Sequence, residues 1–356
     1  MIKVNIDATG LHGLRLTGVG VYIQNLIAAL KKLPDLTLSA SYKISNIKND
    51  GIIRSRTSLP LETPYIPHLY KIIPKKYSLF HGPDYWIPST KSIKKVVTIH
   101  DFSVFHKGLW SQEFAIKGIE KLSKVINQNQ PDQIIVVSDF VKEELKTLFP
   151  QFSDKVTTVY HGVDHFSKGI STPKTVAFPY ILCVGTIEVR KNVLNLAKAF
   201  ALLASKHPDL RLIFAGGTSG FKGPEIATEL RTIRNVMHLD YVSKDTVQNL
   251  IENAIFVAYP SLYEGFGFPI LEAMYLETPV FTSNFGAMKE VAGGNAFLSN
   301  TLEIDALASD LASFLEDEPQ RNRLRDKAKS YVSNFTWAKA AQQTFEVYKK
   351  ALEGPK

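Results

Sequence analysis

One cysteine, Cys183, stands in 356 residues. That excludes an intrachain disulfide framework and any multi-cysteine metal site. No run approaches the ~18 apolar residues of a membrane-spanning helix. The segment Met1–Asp7 lacks both the basic stretch and the apolar core of a secretory signal, so the expectation is a soluble, cytoplasmic chain. Low-complexity segments and short internal repeats are also missing. With 45% apolar and 21% charged residues, disorder is excluded in favour of a sizeable core. The length predicts about two domains.

What is present is an uneven charge. The chain carries a net +8. Residues 1–170 hold 22 Lys+Arg against 14 Asp+Glu, and residues 171–356 hold 20 of each, so the whole excess lies in the first half. Within 71–124 there are ten basic residues and four acids. Such asymmetry suits an anionic surface or substrate on one half. A nucleic acid is disfavoured, because no recognised reading module is present and aromatics do not interleave with basics on one face.

Apolar patterning alternates between strand and helix along both halves. Ile2–Asp7, Leu36–Tyr42, Tyr77–His81, Val96–Ile99, Gln133–Val137 and Lys155–Tyr160 read as strands. Val19–Leu33, Gln112–Ile126 and Asp139–Leu148 read as helices, the last capped by Ser138. The second half repeats this rhythm from Tyr180 to residue 333. Nearly continuous Val/Ile/Leu strands joined by helices predict parallel sheets covered on both faces. The fold class is therefore α/β, with two doubly wound Rossmann-like domains facing across a cleft. The expected boundaries are 1–168 for the first domain, 169–178 for a linker and 179–334 for the second. The amphipathic helix near Trp337–Leu352, within 335–356, either closes the second domain or crosses back to the first.

Four groups of polar residues fall at strand ends, where ligands of such folds bind. Gly18 and Gly20 open the first helix and leave backbone N–H groups bare for a phosphate. This is not a dinucleotide fingerprint, because Ile23 stands where a third glycine is needed, and a dehydrogenase is disfavoured on that ground. His100-Asp101 leaves a strand, and His100 is placed to orient a sugar hydroxyl or stabilise developing charge. Arg190-Lys191 sits at a strand-to-helix junction, where the helix dipole disfavours cations, so an anion is expected between them. Glu264-Gly-Phe-Gly-Phe-Pro-Ile-Leu-Glu272 places one carboxylate in a glycine-rich loop and a second about one turn into the following helix.

Taken in order, Thr17–Tyr22, Thr98–Asp101, Ser138-Asp-Phe, His161-Gly-Val-Asp164, Gly185–Asn192, Tyr241-Val-Ser and the Glu264/Glu272 pair resemble family-four retaining glycosyltransferases of the GT-B fold. Gly185–Asn192 and Phe80–Trp86 resemble bacterial mannosyltransferases of surface polysaccharide assembly most. The resemblance implies a hexosyl transfer from a nucleotide diphosphate sugar, GDP-mannose by preference, to a glycan or lipid-linked acceptor. It assigns the diphosphate to Arg190 and Lys191, the ribose to Glu272 and the donor sugar to Glu264. Backbone around Gly265, Phe266 and Gly267, together with Leu271, completes the donor side. Gly18 and Gly20 face phosphate, His100 sits over the sugar ring, and the backbone of Val242 meets the nucleobase. His161 and Val189 depart from the residues usual in relatives. No D-x-D motif is present, so no metal and no cofactor beyond the donor substrate is expected. The basic first half fits a lipid-linked acceptor at an anionic membrane, with Phe102, Phe105, Leu109 and Trp110 expected to dip into it. A nucleotide-sugar epimerase and a non-catalytic nucleotide-sugar sensor are the competing readings.

Overall fold

The computed structural model describes residues 1–62, 64–66, 76–167, 176–300 and 303–354. Residues 71–75 of the basic stretch and 169–175 of the expected linker lie outside them. The chain forms two compact units. The first comprises Met1–Phe105, Gln112–His165 and Phe335–Lys356; the second comprises His106–Ser111 and Phe166–Asn334. His106–Ser111 thus groups with the second unit, although it lies within the span assigned to the first domain. The last helix groups with the first.

In the first unit, strands β1 (Ile2–Asp7), β2 (Leu36–Ser41), β3 (Leu79–Gly82), β4 (Lys94–Ile99), β5 (Gln133–Val136) and β6 (Val156–Thr158) form one parallel sheet in the order β2-β1-β3-β4-β5-β6. Its strands are nearly continuous buried runs, as a sheet covered on both faces requires. Helix α1 (Gly18–Leu30) starts where the Thr17 side chain accepts from the Gly20 N–H. It turns Tyr22, Ile23, Leu26, Ile27 and Leu30 into the core. Helices α2 (Asp50–Thr57), α3 (Gln112–Ser123) and α4 (Asp139–Leu148) follow, α4 capped by Ser138. A wider turn over Lys124–Gln128 extends α3.

The second unit holds β7 (Tyr180–Val184), α5 (Val193–Ala204), β8 (Arg211–Ala215), α6 (Gly223–Leu230), β9 (Val236–Leu239), α7 (Lys244–Asn253), β10 (Phe256–Tyr259), α8 (Phe268–Tyr275), β11 (Val280–Ser283), α9 (Gly286–Ala292), β12 (Phe297–Ser299), α10 (Ile304–Glu316) and α11 (Glu318–Val332). Its parallel sheet runs β12-β11-β10-β7-β8-β9. Renumbered from β7, this is the 3-2-1-4-5-6 order of the doubly wound fold, with the reversal between β7 and β10. Ligands of such sheets bind beyond the carboxyl ends of the strands at that reversal. Phe256, Phe281 and Phe314 pack together beneath it, with ring centroids 4.9–6.3 Å apart.

Helix α12 (Trp337–Glu353) joins the first unit for reasons written in the sequence. Trp337, Ala340, Ala341, Thr344, Phe345, Tyr348 and Ala351 form one buried face. The run His161–Asp164 seats the helix start. Asp164 accepts from the Trp337 N–H at 2.7 Å, and a Cβ on Gly162 would lie 2.2 Å from the Trp337 nitrogen. Farther along, the Tyr348 hydroxyl lies 2.7 Å from His81 Nδ1. His81 Nε2 reaches the Thr98 hydroxyl at 2.9 Å, and Tyr22 Oη joins it at 3.0 Å. Four buried polar groups on four elements thereby satisfy one another.

The aromatic residues assigned to a membrane surface do not have that character throughout. Phe102 is fully buried against Phe105 and Phe149, and Leu109 is buried as well. Their apolar area is spent on packing. Phe114 and Ile116 of α3 are the exposed large apolar side chains of that region. Among the described residues no helix is long and apolar enough to cross a membrane.

Candidate active site

The second unit brings four ionised side chains together where its strand order reverses. After β7 the chain passes Gly185, makes one tight turn over Val189–Lys191, and enters α5 through Asn192 at φ +56°. Asn is among the few side chains that tolerate this left-handed conformation. After β10 it runs through Ser261–Gly267 into α8, with Gly267 at φ +97° just before the helix. The two loops are tied by the Leu262 N–H donating to the Arg190 carbonyl at 2.8 Å.

Arg190 and Lys191 point inward, their side chains only 14% and 12% exposed. Arg190 donates to Glu188 at 2.7 Å, to the Tyr263 carbonyl at 3.1 Å and to Glu264 Oε2. Lys191 Nζ donates to Glu264 Oε1 at 2.6 Å and to the Tyr259 hydroxyl, and it stands 4.6 Å from the Tyr259 ring centroid. Tyr259 in turn donates to Glu264 Oε1 at 2.7 Å. The anion expected between the two cations is therefore supplied by the chain itself. Burial pushes the Glu264 carboxyl up, but the charges of Arg190 and Lys191 and the hydrogen bonds outweigh it and bring it down to about 2. Burial and the same carboxylate push the Tyr259 hydroxyl well above its ordinary value, so it stays a donor.

A pH dependence follows. Glu264 titrates lower in the folded chain than a free glutamate, so its contribution to stability is full above the ordinary value of 4.5 and is lost as pH falls toward 2. Glu264→Gln should flatten the acid limb of the stability curve across that window, as measured by urea unfolding at stepped pH. An unchanged acid limb would remove Glu264 from the charge cluster.

Glu188 and Tyr259 were not singled out in the sequence, although both lie within or beside motifs that were. Glu188 belongs to the Gly185–Asn192 run, and Tyr259 ends the strand leading to Glu264. Glu272 lies on α8, half-buried, one turn below the loop. Gly265, Phe266 and Gly267 are buried in that loop. Leu271 has a fully buried side chain, which gives it a packing role in α8. Val242 follows β9, the edge strand, and so lies two strands away from β7.

In the first unit, His100 follows β4 and is buried. Its Nε2 lies 2.8 Å from the Pro83 carbonyl, which can only accept, so Nε2 carries the proton and Nδ1 the lone pair. Burial lowers its pKa against the opposing pull of Asp84. His161, with its ring centroid 5.8 Å away, is lowered well below its ordinary value by burial and by His100. His100 is thus a neutral acceptor, suited to a sugar hydroxyl, and it supplies no positive charge to a leaving group. The same loop after β3 also holds the next residue, where the Asp101 N–H donates to Tyr85 Oη at 2.6 Å. Tyr85 holds φ +48°, a strained value for an aromatic residue, as functional loops often show. Gly20 has a packing reason of its own. A Cβ there would lie 2.8 Å from Leu16 Cδ2, and its N–H already serves the Thr17 cap.

Residues 16–165 match the family described as Glycosyltransferase Family 4, and residues 170–331 match Glycosyl transferases group 1. The O-antigen chain mannosyltransferase B of Escherichia coli is 26% identical over 373 residues, spanning 94% of this chain and 96% of the relative. An uncharacterized glycosyltransferase of Methanocaldococcus jannaschii is 30% identical over 263 residues, 69% of this chain and 66% of its own length. Among solved structures, a glycosyltransferase from Rickettsia africae superposes with a TM-score of 0.71 at 18% identity, covering 99% of both chains. WaaG, a glycosyltransferase involved in lipopolysaccharide biosynthesis, superposes with a TM-score of 0.70 at 14% identity, covering 97% of this chain and 99% of its own. Those superpositions identify the fold as GT-B.

Proposed function

Because the chain belongs to the glycosyltransferases, with a family 4 domain in its first half and a group 1 domain in its second, we propose that it moves a hexosyl unit from a nucleotide diphosphate sugar to a hydroxyl of a glycan or lipid-linked glycan, with retention at the anomeric carbon. The observation that carries this is the inward-turned Arg190/Lys191 pair where the second sheet reverses. Breaking the sugar–phosphate bond puts positive charge on the sugar and negative charge on the leaving diphosphate. Two fixed cations, beside the backbone N–H groups of the loop leading into α8, stabilise that negative charge more as it grows than before it forms, which lowers the barrier. The cations take the part that a divalent ion plays elsewhere, so the transfer is metal-independent in this reading. Glu272 takes the ribose, Glu264 and the Gly265–Gly267 loop take the sugar, and the backbone at Val242 takes the base. His100, neutral with a free lone pair on Nδ1, accepts a sugar hydroxyl. The likeness to an O-antigen mannosyltransferase supports mannose, as GDP-mannose, and a cell-surface polysaccharide as product. The basic excess of the first half, with exposed Phe114 and Ile116 beside Lys117, supports attachment to an anionic membrane where such an acceptor resides.

The test is a panel of nucleotide sugars with and without a lipid-linked glycan acceptor, in buffer containing EDTA. The expected result is nucleotide release from GDP-mannose that depends on acceptor. Sugar isomerisation without acceptor would instead establish the epimerase reading, and binding without turnover the sensor reading.

A further inference from the structure

The first sheet has a reversal of its own. Its order β2-β1-β3 puts the switch between β1 and β3, so a ligand of this unit binds beyond the carboxyl ends of those strands. Three carboxylates stand at or next to that place. Asp7, at the end of β1, is buried and has both oxygens engaged. Its Oδ1 accepts from the Thr9 N–H at 3.0 Å and from the Thr9 hydroxyl, and its Oδ2 from the Tyr65 hydroxyl at 2.9 Å. Asp101, after β4, accepts from the Ser103 N–H at 2.9 Å. Asp84, after β3, is half-buried, and among the described residues its carboxylate takes part in no hydrogen bond and no ion pair.

The turn that presents Asp84 is built to hold its shape. It leaves β3 at Gly82, where a Cβ would overlap the Trp86 carbonyl oxygen, so Gly82–Trp86 closes tightly on itself. His100 Nε2 fixes the Pro83 carbonyl at 2.8 Å, and the Tyr85 hydroxyl donates to the Asp101 carbonyl at 3.1 Å. Asp84 lies between those two anchors. Trp86 stacks on Tyr65, ring centroids 4.5 Å apart, which ties the turn to the residue that bonds Asp7. The Asp84 charge is near enough to His100 to oppose the lowering of that histidine's pKa by burial. A fixed carboxylate beside a neutral imidazole with its lone pair on Nδ1 offers acceptors only, which suits the hydroxyl groups of a sugar.

We propose that Asp84 holds a hydroxyl of the acceptor sugar and so determines which sugar the first unit takes. The proposal rests on the transferase reading above and adds to it a contact for the acceptor. Placement assigns Asp84 to the acceptor rather than to the donor. His100, which takes a donor hydroxyl in that reading, follows β4, whereas Asp84 follows the neighbouring strand on the side of the reversal. The side chains that the reading gives to the donor otherwise belong to the second unit. A hydroxyl donating to an ionised carboxylate makes one of the stronger hydrogen bonds. Asp7 and Asp101 would have to give up bonds within the chain to receive it. Asp84 gives up none, and its turn is already ordered, so little is lost on binding.

Saturation-transfer NMR titration of the full chain with the methyl α-glycosides of mannose, glucose and galactose tests it. At least one glycoside should bind the wild type, and Asp84→Ala should weaken that binding about tenfold. Asp84→Asn, which keeps an acceptor oxygen without the charge, should fall between the two. Affinity for the nucleotide sugar that the panel selects, measured by calorimetry, should be the same in all of them. Because the carboxylate bonds nothing among the described residues, both variants should melt with the wild type. Should Asp84→Ala melt early, Asp84→Asn decides by a several-fold loss. Unchanged glycoside affinity in a folded variant overturns the proposal and leaves the transferase reading standing, and so does failure of every glycoside to bind the wild type. A loss of affinity for the nucleotide sugar alone moves Asp84 to the donor and likewise overturns it. Absence of turnover with every nucleotide sugar of the panel overturns the transferase reading itself, and the acceptor role with it.

Discussion

Lys191→Ala should lower kcat by roughly 100- to 1000-fold while weakening nucleotide binding less than tenfold. The reason lies in when its charge is needed. Before the bond breaks, the proposed diphosphate contact is shared between Arg190 and Lys191, which also bonds the Glu264 carboxylate at 2.6 Å. Removing the lysine then costs one of several ground-state contacts, and affinity changes little. As the sugar departs, the leaving oxygen gains charge that only fixed donors can meet without reorganisation. Arg190 remains, held by Glu188, but it is one of two. Steady-state kinetics with nucleotide affinity measured separately decides the matter. A hundredfold loss of affinity at unchanged turnover would assign Lys191 to ground-state binding and remove the charge build-up argument.

Gly216→Ala should destabilise the second unit by about 3 kcal/mol and lower its unfolding temperature by roughly 10 °C. Its added Cβ would lie 2.0 Å from the Gly185 carbonyl oxygen and 2.5 Å from the Gly185 carbonyl carbon, both rigid backbone atoms. Gly185 begins the loop that carries Arg190 and Lys191, so the shift that relieves the clash also moves the cations. Activity should fall with stability. Gly51→Ala is the control, because nothing lies within 4 Å of its added Cβ and alanine favours the helix it stands in. Scanning calorimetry of both variants against the wild type checks this, and a Gly216→Ala transition coincident with the wild type would mean that the loops are not in close contact.

The βα rhythm was legible because its signals are local. Tyr180–Val184 and Asp139–Leu148 have the bounds that their apolar pattern and the Ser138 cap indicate. Elements with weak local signals were not. Helix α2 has a thin apolar face in which Ile53 and Thr57 alone are buried. The short α9 and the three-residue β12 stand on either side of Gly293-Gly294, which interrupts the apolar pattern. The π-type turn after Ser123 continues a helical pattern without a break in sequence, so α3 read as longer than it is. At the site, charge type at strand ends drew Arg190, Lys191 and Glu264 out of the sequence. Their mutual pairing was not legible, because it joins residues 73 and 74 positions apart. Tyr259 escaped for a similar reason, since a tyrosine ending a buried strand reads as core until its hydroxyl is seen on Lys191 and Glu264. The run His161–Asp164 carried resemblance without an assigned role, and the structure gives it one in seating α12.

The central claim is that Arg190 and Lys191 take the leaving diphosphate. A crystal structure of the chain with GDP-mannose, or with the nucleotide sugar that the panel selects, tests it most directly. The account predicts diphosphate oxygens within hydrogen-bond distance, about 3 Å, of the Arg190 guanidinium and Lys191 Nζ, with Glu264 turned to the sugar. A diphosphate bound elsewhere, with Glu264 still bridging both cations, would contradict it.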